Sequence, residues 1–309
     1  MFDFFRRLRS SVFLLVKTQA ETDPHSGLKV REDRKGICMF EEILENVRTR
    51  HPLIHNITNY VTVNDCANML LACGASPIMA DDLEEVEDIT SICGGLNINI
   101  GTLNQRTIPA MVAAGKKANE LGHPVVLDPV GAGASGLRTR TAVKLLKEVR
   151  FAVIRGNASE IRTLADGCGS TQGVDASEED KGMDLEQTAE LAKRFAKETG
   201  AVVVITGAVD VITNGQKTIF ISNGRPEMAS ITGTGCQLSA LIAAFVTANP
   251  DQPLEAAAAA VSAMGLCGEM GVNRMGPLDG NVALRGYIID AMYNLTPEQL
   301  EAEARYEVR

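Results

Sequence analysis

The sequence predicts an α/β fold with a central, mostly parallel sheet, helices on both faces and antiparallel strands at one edge. Three observations predict it. From Pro52 onward, short apolar runs alternate with stretches of helical periodicity, the pattern of successive β-α units. The runs are about four or five residues long and of mainly β-branched or apolar character, as strands covered on both faces should be. The segment 209–221 instead reads as a hairpin about Asn214-Gly215, a turn that pairs its strands antiparallel.

Residues 1–38 stand apart from this pattern. They hold eight Lys/Arg against five Asp/Glu in a chain whose formal net charge is -9. Arg6-Arg7-Leu8-Arg9 precedes the apolar run Val12-Phe13-Leu14-Leu15-Val16, which is shorter than the roughly seven residues of a signal-peptide core and lacks a small-residue cleavage site. The polar run 17–35 has the composition of a disordered segment. The expectation is an N-terminal extension over 1–38, disordered or untranslated with Met39 as the start, followed by one domain over 39–309.

Within 39–309, the amphipathic stretch 40–48 predicts a helix. Strands are expected at 76–79, 96–100, 125–127, 151–154 and 202–205, with helices at 105–121, 140–148 and 185–199, several closed by Gly or Gly-x-Pro. A last apolar helix is expected at 237–247. The longest uncharged apolar stretch, 236–246, is too short to cross a bilayer, so no membrane partner is expected.

The acidic balance argues against a nucleic-acid partner, which needs a basic face. Seven cysteines without a C-x-x-C pair suit a reducing cytoplasm. The four histidines show no zinc-ligand spacing.

Chemistry concentrates just after the strands. Asn99-Ile100-Gly101-Thr102, Asp128-Pro129-Val130-Gly131-Ala132-Gly133, Arg155-Gly156-Asn157 and Thr206-Gly207 each follow an apolar run, and ligands of open α/β sheets bind at the carboxyl ends of strands. Each residue also has a bland reading. Asp128 could cap its turn, and Thr206 could cap the next segment. Arg155, directly after an apolar strand, needs a charged partner, and a phosphate would serve bidentately. In Asn157-Ala158-Ser159-Glu160 the spacing makes a capping box, while Glu160 beside Asp128 would equally make a hard oxygen site for magnesium.

The strongest segment is Gly233-Thr234-Gly235-Cys236 at the head of the apolar helix. Small residues there let backbone N–H groups converge on an anion, and the helix dipole adds attraction.

With these motifs in order, the chain resembles the ribokinase-like superfamily and, within it, the hydroxyethylthiazole kinases. The resemblance rests on Asn56-Ile57-Thr58-Asn59-Tyr60-Val61-Thr62, Gly74-Ala75-Ser76-Pro77-Ile78-Met79, Asn99-Ile100-Gly101-Thr102-Leu103, the Asp128 and Arg155 segments and Gly233-Thr234-Gly235-Cys236. It implies that ATP phosphorylates the hydroxyl of 4-methyl-5-(2-hydroxyethyl)thiazole in thiamine salvage, in the cytoplasm. It further implies that Met79 and Gly233 contact the thiazole, that Arg155 and Thr206 hold ATP, and that Asp128 and Glu160 help bind Mg2+.

Asn59 is a weaker candidate for the thiazole pocket, since Asn near a helix start is often a cap. Homotrimers with interfacial active sites are implied too, which would account for an exposed segment around Asn59. Gly233 and Gly235 would supply backbone donors, and Cys236 would position the hydroxyl. Many superfamily members carry Asp at that position, and a thiol is a poorer base unless the helix N-terminus lowers its pKa. Cys236 therefore argues against the alternatives on the same scaffold, a pyrimidine or sugar kinase or an NAD(P)H-hydrate dehydratase. A non-catalytic nucleotide-binding regulator would need fewer of these groups.

Overall fold

The computed structural model describes residues 39–166 and 184–309; the expectations for 1–38 lie outside them. The chain opens on α1 (Met39–Arg50), whose apolar residues Phe40, Ile43, Leu44 and Val47 recur at helical spacing and are all buried. There follow β1 (Leu53–Ile57), α2 (Val63–Cys73), β2 (Ser76–Met79), α3 (Val86–Ile92), β3 (Gly95–Asn99), α4 (Thr107–Leu121), β4 (Val125–Asp128), α5 (Gly136–Glu148), β5 (Val153–Asn157) and α6 (Ala158–Asp166). After the next described residues begin come α7 (Leu185–Thr199), β6 (Val202–Thr206), β7 (Asp210–Thr213), β8 (Thr218–Ile221), α8 (Thr234–Ala248), α9 (Pro253–Arg274), α10 (Asn281–Asn294), α11 (Pro297–Glu303) and β9 (Tyr306–Val308).

These strands form one nine-stranded sheet in the order β2-β1-β3-β4-β5-β6-β7-β8-β9. The pairs from β2 to β6 are parallel and those from β6 to β9 antiparallel. The expected antiparallel edge is therefore present, with one strand more than the hairpin alone would give. The C-terminal β9 was not legible because it is three residues long and exposed. Strand β1 was hidden by its own polar residues, His55 and Asn56, both buried. Helices α4 and α5 start within a turn or so of expectation, and α7 spans the expected residues.

Alternating residues divide the sheet between two cores. Leu96, Ile98, Val125, Leu127, Ile154 and Val203 face α3 to α7. Val126, Val153, Val202 and Val204 face the layer of α1, α2 and α8 to α11. Helix α8 runs through that second layer with residues 236–246 all buried, which explains why its sequence is apolar on every side. It lies so close to β3 that a Cβ at Gly95 would sit 2.1 Å from Thr247 Oγ1. The result aims the N-terminus of α8 at the carboxyl ends of β1, β3, β4 and β5. Among the described residues, no helix is long and apolar enough to cross a membrane.

Candidate active site

Asp128 ends β4 on the α8 side and is fully buried. Its Oδ2 accepts hydrogen bonds from Asn99 Nδ2 at 2.7 Å and from Ser239 Oγ of α8 at 2.9 Å. Its Oδ1 has no hydrogen-bond partner among the described residues and faces the Arg155 guanidinium with Nη1 at 3.5 Å. Burial pushes the carboxyl up to about 6, against the opposing pull of Arg155.

Arg155 corrects an expectation. It lies within β5, not beyond it, and already has protein partners: the Asp128 carboxylate, and Thr206 Oγ1 at 2.9 Å from Nη2. The adjacent strand supplies that hydroxyl because Asn157 and Thr206 are in register. A charge in an apolar strand is tolerated here because the tertiary fold pairs it.

At the head of α8, Gly233 is the N-cap with φ 89°, a left-handed conformation that side chains resist. A Cβ there would also lie 2.1 Å from Thr62 Cγ2. At Gly235 a Cβ would meet Arg155 Nη1 at 2.5 Å and Nη2 at 2.6 Å. Only glycine lets the guanidinium rest on the first turn of the helix.

Cys236 follows, 8% exposed, with its sulfur accepting a hydrogen bond from Asn59 Nδ2 at 3.1 Å. Burial and the Asp128 charge raise its pKa, outweighing the bonds from Asn99, Asn59 and Thr62 that lower it. A thiol held above its ordinary pKa stays protonated at neutral pH.

One more expectation changes, and one keeps both of its readings. The segment around Asn59 divides: Asn59 itself is buried, while Tyr60 and Val61 beside it are 78% and 55% exposed. Glu160 forms the full capping box, accepting from Asn157 N at 2.8 Å while its own N–H donates to Asn157 Oδ1 at 2.8 Å. Its other oxygen accepts from Gly131 N at 2.8 Å. Both bland and functional readings thus retain a basis, because each oxygen keeps a free lone pair and Glu160 raises the Asp128 pKa through its charge. Met79 is half-buried at the end of β2, in register with Asn56 of β1. Ser239 escaped notice, and Asn99 was legible only as part of its motif, with no role of its own, although Gly95, Asn97 and Asn99 place small or polar residues at every second position of β3.

The same fold is found in the pyridoxal kinase of Staphylococcus aureus, whose solved structure superposes with TM-score 0.57 at 14% identity, covering 84% of this chain and 98% of that one. The fold is that of the ribokinase-like class. Within that class the chain belongs to the hydroxyethylthiazole kinase family, whose model matches residues 44–298. It is 62% identical over 271 residues to the hydroxyethylthiazole kinase of Clostridium acetobutylicum, covering 87% of this chain and 99% of the relative. It is 50% identical to that of Clostridium beijerinckii, covering 84% and 93%. A solved hydroxyethylthiazole kinase structure from Pyrococcus horikoshii superposes with TM-score 0.79 at 36% identity, covering 88% of this chain and all of that one.

Proposed function

We propose that this chain transfers the γ-phosphoryl group of ATP to the hydroxyl of 4-methyl-5-(2-hydroxyethyl)thiazole, a step of thiamine salvage. The observation that carries the reading is the meeting of Arg155, Asp128 and Cys236 at the glycine-opened N-terminus of α8. Phosphoryl transfer has a loose transition state, so positioning and charge stabilisation supply most of the catalysis. Arg155 and Thr206 bind the nucleotide phosphates, the guanidinium exchanging part of its contact with Asp128 for phosphate oxygens. Backbone N–H groups of Gly233 to Cys236 stabilise the charge on the group in flight. Met79, Gly233 and Asn59 line the thiazole pocket, and the Cys236 thiol orients the attacking hydroxyl.

Mg2+ fits this site. The buried Asp128 Oδ1 is an anionic oxygen without a hydrogen bond, and Glu160 adds a second carboxylate. Among the described residues there is no cluster of three or more metal-binding side chains, which accords with Mg2+ held by one or two carboxylates plus substrate phosphates. When bound, the ion neutralises charge on the phosphates. Asp128 holds it directly or through water, and Glu160 supports it from the capped end of α6.

A cytoplasmic homotrimer with active sites at the subunit boundaries accompanies this reading. Exposed Tyr60 and Val61 beside buried Asn59 support it, since apolar surface at a pocket rim favours a covering partner.

Incubation with ATP, magnesium and the thiazole alcohol, followed by mass spectrometry, tests the proposal. A phosphoryl group added to the thiazole alcohol supports it. Phosphorylation of pyrimidine or sugar alcohols in its place, repair of hydrated NAD(P)H, or nucleotide binding without turnover would replace it.

A further inference from the structure

The geometry points to Asn99 as a positioning residue that joins Asp128 to Cys236 and sets which way the thiol faces. This assignment rests on the kinase reading for its effect on turnover, but its structural basis is independent of any substrate.

Two amides carry the link, each with one end fixed by a backbone N–H. Gly101 N–H can only donate, and it reaches Asn99 Oδ1 at 2.9 Å. That fixes the Asn99 amide, so its Nδ2 must face Asp128 Oδ2 at 2.7 Å. Thr62 N–H likewise only donates, and it reaches Asn59 Oδ1 at 3.2 Å. Asn59 Nδ2 is then left to serve two acceptors, Asn99 Oδ1 and Cys236 Sγ, each at 3.1 Å. No amide in the chain can flip without setting two donors or two acceptors against each other.

The consequence reaches the sulfur. Because Asn59 spends one hydrogen on it, Cys236 Sγ is an acceptor in this direction, and its own S–H must point elsewhere. All members of the chain are buried: Asn59 is 4% exposed, Asn99 1% and Asp128 0%. A buried network with fixed polarity specifies one arrangement, and a reversed member costs the whole set. Asn99 is the only member bonded to both the carboxylate and the amide that holds the sulfur. Asn99 bonds Asp128 and Asn59 and lies near enough to the sulfur to lower the Cys236 pKa itself.

Asn99→Asp keeps the shape and reverses the polarity, placing an acceptor where Asp128 needs a donor. The first readout needs no substrate: the pH profile of Cys236 modification by methyl methanethiosulfonate, followed by peptide mass spectrometry on the full chain. The uncharged Asn99→Ser is profiled beside Asn99→Asp: loss of the link shifts the midpoint upward in both variants, whereas a shift in Asn99→Asp alone reports only the added carboxylate and overturns the assignment. The second readout is turnover with ATP and the thiazole alcohol, expected to fall at least about tenfold, within the range that displaced reacting groups cause. Should Asn99→Asp fail to fold by circular dichroism, Asn99→Ser, too short to span both partners, carries both readouts alone. A folded variant with a wild-type midpoint, or with turnover within about twofold of wild type, overturns the assignment. If the wild-type chain phosphorylates no thiazole alcohol, the kinase reading fails, and the thiol profile alone then decides the role of Asn99.

Discussion

The two faces of β3 and β4 are held by different physics. Toward α3 to α7 they present Leu96, Ile98, Val125 and Leu127, which need only be covered. Toward α8 they present Gly95 and Val126 together with Asn97, Asn99 and Asp128, and these three buried polar side chains must each find a partner or remain costly. The apolar face therefore tolerates many shapes, whereas the polar face works in one arrangement. Asp128 Oδ1 is the exception that teaches most, because a buried carboxylate oxygen without a hydrogen bond is expensive unless a ligand uses it.

The contrast breaks most sharply at Asp128. Asp128→Ala should lower kinase turnover by about a thousandfold, the upper range for losing one preorganised electrostatic group, measured at saturating ATP and magnesium. Turnover within tenfold of wild type would remove Asp128 from the site. On the opposite face, Leu96→Ala should cost about 2–5 kcal/mol of stability in urea denaturation, while Michaelis constants for both substrates stay near wild type below the unfolding transition. A changed Michaelis constant there would mean that the two faces are not separable.

Cys236→Ser should cost no more than about 10-fold to 100-fold in turnover, near the low end for losing a general base. Its raised pKa already argues that the thiolate is not required, and a loss above about ten-thousand-fold would reverse that conclusion.

The smallest effect is on stability against pH. Asp128 titrates at about 6 in the folded chain and at about 4 when unfolded. Between those values the native state holds a proton that the unfolded chain has released. Its contribution to stability therefore rises as pH falls from 7 toward 5. His55 opposes it, because burial lowers its pKa and the unfolded chain takes up the proton first. Subtracting the urea midpoints of Asp128→Asn from those of wild type, without ATP or magnesium, isolates the Asp128 part. A difference that does not grow as pH falls would place the carboxyl in a more polar setting than its burial indicates.

The same two faces explain what was legible. Strand β4 and the buried helix α8 could be read at once, because runs such as Val125-Val126-Leu127 report burial directly. Strand β1 could not, since His55 and Asn56 break its apolar run, and their partners, Thr90 and Ala80 for His55 and Asn97 for Asn56, lie on other elements. Arg155 looked unpaired for the same reason: its carboxylate lies 27 positions earlier, and its hydroxyl 51 positions later. Asn59 was expected on an exposed segment because the resemblance implied an interfacial site there; the bonds to Asn99 of β3 and Cys236 of α8 bury it, while Tyr60 and Val61 stay exposed.

Sequence alone determined the class of fold, the mostly parallel sheet with its antiparallel edge, and the glycine-rich head of a buried helix. Those depend on local period, turn chemistry and conformational freedom, which neighbouring residues carry between them. Tertiary structure alone decided that Asp128 keeps one oxygen unbonded, that Arg155 rests on Gly235, and that Asn99 and Asn59 link the carboxylate to Cys236. Hydrogen bonds and ion pairs act over a few ångströms between residues up to 177 positions apart, so their partners exist only once the sheet and α8 have come together.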